Sequence, residues 1–244
     1  MSNPLKGMKE AGKRLAEVAE ILKEHIQPGI TGKDLDKIAE EEIKKRGAIP
    51  AFKGYGGFPA TICFSVNEVV IHGIPSDKPV VPGDVVSIDM GLVYKGWYAD
   101  MAFTVVVGKM SDEKKKLLEV TQKALIKAIS IVKAGIHVGD IGYVIEKTVK
   151  DAGFCALRDY TGHGIGRKLH MEPPIFNYGT PGTGPVLRAG MFIAIEPMVV
   201  ANPDCSVKVA DDGWTVYSIY GKPAAHFEHT IAVLDNGYEI MTIV

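Results

Sequence analysis

VVSIDMGLVYKGWYADMAFTVVV, residues 85–107, is the stretch whose reading decides the fold. β-branched and aromatic residues flank Tyr94-Lys95-Gly96, a short turn between two apolar runs, and together they spell a β-hairpin. Asp89 and Asp100 stand nearly equidistant from that turn. Antiparallel pairing therefore sets them roughly opposite each other, within a register step, with side chains close enough to share an ion. Each lies among apolar neighbours. Two carboxylates brought together in a half-buried sheet repel each other and lose hydration unless a cation neutralises them, so the hairpin is a candidate metal site.

Working outward, the segments on either side of the hairpin resemble each other. Leu5, Met8, Gly12, Leu15, Ala19, Leu22 and Ile26 recur at three- and four-residue steps, an amphipathic helix ended by Pro28-Gly29. A second helix follows over residues 31–46, with Leu35, Ile38, Ala39 and Ile43 inward and Gly47 at its C-terminal cap. After Gly108 the pattern starts again: Ser111 is an N-cap, Asp112 and Glu113 occupy the first turn, and an apolar stripe runs from Leu117 to Val132. Gly135-Ile136, Asp140, Ile141, Val144, Glu146, Lys150 and Gly153 then repeat Gly29-Ile30, Asp34, Leu35, Ile38, Glu40, Lys44 and Gly47 at a constant offset. Such self-similarity predicts one domain over residues 1–244 made of two helix-helix-strand halves, 5–107 and 111–244, related by a pseudo-twofold axis.

The offset carries Asp89 to the neighbourhood of Glu196, in MFIAIEPMVV, and a further acidic residue, Glu228, sits in AHFEHTIAVL. Both lie inside apolar, strand-like runs, and residues 201–223 between them read as an elaborated hairpin loop. Four carboxylates on related strands need cations and at least one imidazole beside them. TGHGIGRKLH offers His163 and His170, with glycines that let the backbone approach a ligand, and VIHGIP offers His72. Oxygen-rich coordination with a single nitrogen suits a pair of divalent ions about 3.5–4 Å apart, manganese, iron or cobalt, with a water between them as nucleophile.

Composition sets the limits. The 244 residues are 46% hydrophobic and 23% charged, with a formal net charge of −1, which offers no broad attraction to nucleic acid or to an acidic membrane. Cys63, Cys155 and Cys205 are odd in number and form no CxxC pair, so a disulfide framework is not expected and a reducing, cytoplasmic setting fits. No apolar run is long enough to span a bilayer, and the polar start is not a signal peptide.

The order Asp89, Asp100, His163, Glu196, Glu228, together with GYGGFPATICFSVNEVVIHGIP, DMGLVYKGWYAD, YTGHGIGRKLHMEPPIFNY, GMFIAIEPM, DDGWT and FEHT, resembles the type I methionine aminopeptidases of the pita-bread metallohydrolases over nearly the whole chain. The resemblance implies an α+β pita-bread fold with a curved antiparallel sheet, and removal of the initiator methionine from nascent polypeptide N-termini ahead of a small second residue. It implies that Asp100 and Glu228 bridge two ions, Asp89 completing one, His163 with Glu196 the other. Glu196 would also be the general base, and His72 and His170 would contact the reacting peptide. The methionine pocket would be Tyr55, Phe58, Cys63, His72 and Trp214. The chain's own Met1-Ser2 would be a suitable substrate end. A cytoplasmic monomer is the default, with docking at the ribosome left open.

Residues 218–226, SIYGKPAAH, depart from the family's Gly-Ser-rich turn ending in Gln, and Phe52 and Ile71 stand where some relatives have cysteines. The lack of an insertion between the second and third ligands, and of a separate N-terminal domain, speaks against the type II, prolidase and aminopeptidase P forms. An Xaa-Pro peptidase of the same fold and a binding protein that has lost the chemistry are the competing readings.

Overall fold

A computed structural model describes residues 3–244; the Met1-Ser2 substrate reading falls outside them. Helix α1 (Pro4–His25) starts at Asn3, whose side chain accepts from the Leu5 N–H, with Pro4 in the first turn. Helix α2 (Gly32–Lys45) opens on Thr31, which forms a capping box with Asp34. There follow β1 (Ile49–Pro50), a 3₁₀ turn over Tyr55–Gly57, β2 (Ile62–Val66), β3 (Val69–Ile71), β4 (Val85–Tyr94) and β5 (Trp97–Val106). The second half repeats the helices as α3 (Asp112–Ser130) and α4 (Val138–Lys150). It continues with β6 (Cys155–Ala156), β7 (Thr161–Gly164), β8 (Met171–Phe176), β9 (Phe192–Ile195) and β10 (Met198–Val200). The chain ends with β11 (Val207–Val209), β12 (Val216–Ser218), β13 (Ala224–His226), β14 (Glu228–Leu234) and β15 (Gly237–Ile240).

The central sheet runs β1-β4-β5-β14-β9-β7-β8, with β2 beside β4 and β15 beside β14, all antiparallel. Side-chain alternation gives its strands two characters. Ile88, Met90 and Leu92 of β4 are fully buried in the core that α1 helps to cover, whereas Ser87, Asp89 and Gly91 face the other way. That second face carries the polar groups.

The internal repeat reappears as matched local hydrogen bonding. Asp34 accepts from the Thr31 N–H at 3.2 Å, and Asp140 from the His137 N–H at 2.8 Å. Gly29 and Ile30 exchange backbone bonds with Val80 as Gly135 and Ile136 do with Leu187. The symmetry fails at residues 201–223. There β11 and β12 form a hairpin that pairs with β3 in a separate three-stranded sheet, so the expected loop is an element with its own pairing.

Two expectations are adjusted. The β4–β5 turn is the two-residue Lys95-Gly96, both at positive φ, so Asp89 faces Ala102 and Asp100 faces Gly91. The two aspartates are diagonal neighbours on one face, two residues out of register, not directly opposite. The cysteines are not all free either: Cys155 and Cys205 are joined by a disulfide, with Cα atoms 5.4 Å apart, and Cys63 alone remains as a buried thiol. Counting parity missed the pair because it is made by tertiary structure, β6 lying against β10 just before the chain turns back at residue 205.

Gly12 belongs to the apolar stripe of α1 for a steric reason: a Cβ there would run into the Met241 carbonyl near the chain end. Helix propensity alone makes Gly12→Ala stabilising by about 1 kcal/mol. Overpacking is expected to reverse the sign, with a net loss of roughly 1–3 kcal/mol in denaturant unfolding. A variant as stable as the parent would show that the helix can move away from Met241 at little cost.

Candidate metal centre

Five consecutive strand positions of the central sheet each deliver one polar side chain to the same face. In sheet order they are Asp89 on β4, Asp100 on β5, Glu228 at the start of β14, Glu196 just past the end of β9, and His163 on β7. The registers align them: Ala102 pairs with both Asp89 and Glu228, and Ala194 with His163. Glu196 lies in the break between β9 and β10, before Pro197, and not inside a strand.

His163 Nε2 lies 3.7 Å from Asp100 Oδ2 and 3.7 Å from Glu196 Oε1. Ligand atoms of Asp100, His163 and Glu228 all fall within 4.8 Å of one another. All five residues are buried, yet Asp89 Oδ1, Asp100 Oδ1 and Glu228 Oε1 have no hydrogen-bond partner among the described residues. Buried acceptors left unpaired are costly. Carboxylate oxygens turned towards a shared space beside an imidazole are the donor set of divalent cations, so these residues fit such ions.

The electrostatics agree. Desolvation pushes Glu196 up to about 8 and Asp89 up to about 7, in the latter against the opposing pull of His226. Asp100 and Glu228 are raised well above the carboxylate range, by burial first and neighbouring carboxylates second. Burial lowers His163 and His72 to about 4. Without a cation the cluster resolves its repulsion by holding protons.

The carboxylates form one wall of a cavity of about 430 Å³, whose lining includes every substrate-pocket residue inferred from sequence: Tyr55, Phe58, Cys63, His72, His170 and Trp214. Phe58 meets Trp214 edge to face, centroids 5.2 Å apart, and His72 lies against Tyr160 and Trp214. His72 sits at φ 59°, a left-handed backbone uncommon for a residue other than glycine, and it lines this pocket. The Tyr55 hydroxyl bonds His170 Nδ1 at 2.9 Å, and the His170 ring packs edge-on to His163 with centroids 4.4 Å apart.

Sequence reasoning did not assign Tyr160 or Asp159, which line the cavity three and four residues before His163, nor His226, whose Nε2 lies 3.5 Å from Glu196 Oε2. The signal for His226 was present: two residues before Glu228 in an extended run, it shares that residue's face.

The model of metallopeptidase family M24 matches residues 6–235. Methionine aminopeptidase 1 of Bacillus subtilis is 49% identical over 237 residues, covering 97% of this chain and 95% of its own. The crystal structure of methionine aminopeptidase from Thermotoga maritima, 47% identical, superposes with a TM-score of 0.97 over all of this chain and 98% of that one. Prolidase from Pyrococcus furiosus, 24% identical, shares the fold with a TM-score of 0.81, this chain covering 65% of its length. With five ligand-type side chains converging on one cavity, near-complete coverage by such relatives and the pita-bread sheet in common, the chain belongs to metallopeptidase family M24, among its methionine aminopeptidases.

Proposed function

We propose that the whole chain acts as one catalytic domain that excises the N-terminal methionine of nascent proteins whose second residue is small, using two divalent ions and Glu196 as general base. The observation that carries this is the row of five buried ligand-type side chains with orphaned oxygens beside an apolar cavity. Asp100 and Glu228, neighbours in the row, would be shared by the two ions, with Asp89 serving one and His163 and Glu196 the other. When bound, the ions polarise the scissile carbonyl and lower the pKa of an attacking water.

The residues divide the remaining work. Glu196 has a carboxylate already shifted towards neutral pH, suited to take a proton from the water and return it to the leaving amine. His170, engaged by Tyr55 at Nδ1, keeps Nε2 for the peptide, and His72 flanks the reacting carbonyl across the cavity. Phe58, Cys63 and Trp214 present apolar and aromatic surface to an unbranched thioether. The substrate's amino group meets the carboxylate wall, which accounts for an exopeptidase. Manganese, iron and cobalt suit the donor set. No helix among the described residues is long and apolar enough to cross a membrane; action in the cytoplasm as a monomer, at or near the ribosome, accords with nascent chains as substrate.

Metal-stripped protein, with manganese, cobalt or iron restored, is expected to release methionine from Met-Ala-Ser and not from Met-Phe-Ser, and to leave an Xaa-Pro peptide intact. Glu196→Gln should cut turnover by about 10²–10⁴, the usual share of a general base. Preferential cleavage of Xaa-Pro would overturn the substrate assignment.

Stability supplies a second check. Carboxylates whose folded pKa is raised bind more protons in the native state, so their stabilisation falls as pH rises through the folded values, near 7 for Asp89 and 8 for Glu196. The depressed histidines act oppositely, but only below their unfolded value of about 6.5. Metal-free protein is therefore expected to lose melting temperature between pH 6.5 and 8, and an added divalent ion to raise it more at pH 8 than at pH 6. A metal-free melting temperature that climbs across that window would sink the account.

A further inference from the structure

His226 faces the carboxylate wall, and the five-ligand scheme gives it no task. It ends β13 in Ala224-Ala225-His226, part of the stretch that departs from the family pattern. Its backbone is pinned on both sides. The His226 N–H donates to Thr104 Oγ1 at 2.9 Å, the Thr104 hydroxyl donates back to the His226 carbonyl at 2.7 Å, and Met198 of β10 is its strand partner. The direction of the imidazole is thus set by the sheet and not by a mobile loop.

The side chain is 1% exposed, and its Nε2 has no hydrogen-bond partner among the described residues. The group facing it is Glu196 Oε2, at 3.5 Å. Glu196 is flanked by two imidazoles, His163 on Oε1 and His226 on Oε2. Ligand atoms of Glu196, His226 and Glu228 lie within 4.8 Å of one another, as do those of Asp100, His163 and Glu228. These are two three-atom sets, each containing one imidazole, with Glu228 in common.

We propose that His226 is a sixth ligand of the centre, donating Nε2 to an ion beside Glu196 and Glu228, so that each of the two three-atom sets offers one imidazole. The inference rests on the two-ion reading above and alters it in one respect. A position otherwise made of carboxylate oxygens becomes a mixed nitrogen and oxygen site. Imidazole favours cobalt, nickel and zinc over manganese along the divalent series, so His226 biases metal choice at that position. The neutral tautomer that binds through Nε2 carries its proton on Nδ1, which supplies a spectroscopic handle.

Metal-stripped protein would be titrated with cobalt(II) in water and followed by proton NMR. The ring N–H of a cobalt-bound imidazole shifts far outside the normal range and disappears in deuterium oxide. Two such resonances are expected after the second equivalent, one of them absent in His226→Gln, together with a weakening of the second cobalt site by at least about tenfold and a smaller change for manganese. The count in the unsubstituted protein is decisive even if the variant folds poorly. One resonance, retained in the variant with both cobalt affinities unchanged, would overturn the proposal and leave the two-ion centre standing. No shifted resonance and no cobalt binding would overturn both.

Discussion

Mutual repulsion among buried carboxylates is the constraint on which the rest of the structure depends. Asp89, Asp100, Glu196 and Glu228 are each driven towards the protonated form by burial, and, where they meet, by one another. A flexible chain would relieve this by letting the side chains swing into water. Here Asp89, Asp100 and Glu228 are set by sheet register and Glu196 by the break just past β9, so their separation is fixed by the fold and the remaining relief is a proton or a cation. The core opposite is what resists the strain. Ile88, Met90 and Leu92 alternate with the site residues along β4, and a slip of one residue would exchange the two faces, putting carboxylates into the helix-covered core.

That alternation explains how much of the site was legible in the sequence. The hairpin was visible because strand period and turn chemistry are local, and the pairing error it contained was harmless for a geometric reason. Direct opposition would need a turn centred between Tyr94 and Lys95, one residue before the true centre between Lys95 and Gly96; that difference moves the pairing by two, which keeps Asp89 and Asp100 on one face and changes only direct opposition into a diagonal. The duplicated helices were legible from the constant offset, down to the Thr31–Asp34 and His137–Asp140 caps. What could not be read was tertiary: the pairing of β12 with β3, the Cys155–Cys205 link across 50 residues, and the approach of Tyr160 to His72. None leaves a periodic or spacing signal in the chain.

The duplication itself builds a symmetric frame, and the site works through departures from it. The first half contributes its two aspartates from one hairpin, whereas the second half separates Glu196 from Glu228 with residues 201–223. That insertion forms its own hairpin, pairs with β3, and carries Trp214 to the cavity wall against Phe58 of the first half. One half therefore supplies the 3₁₀ segment and β2 side of the pocket, and the other supplies the lid of aromatic surface.

The same asymmetry reaches the carboxylate cluster. His163 approaches Glu196 from β7, and His226 approaches it from β13, at the end of the inserted stretch. The strand that brings the substrate wall back to the central sheet therefore also delivers the second imidazole, two residues ahead of Glu228. Substitution in this returning segment can alter pocket shape and ligand field together, because Thr104 ties the backbone at His226 to β5, which bears Asp100.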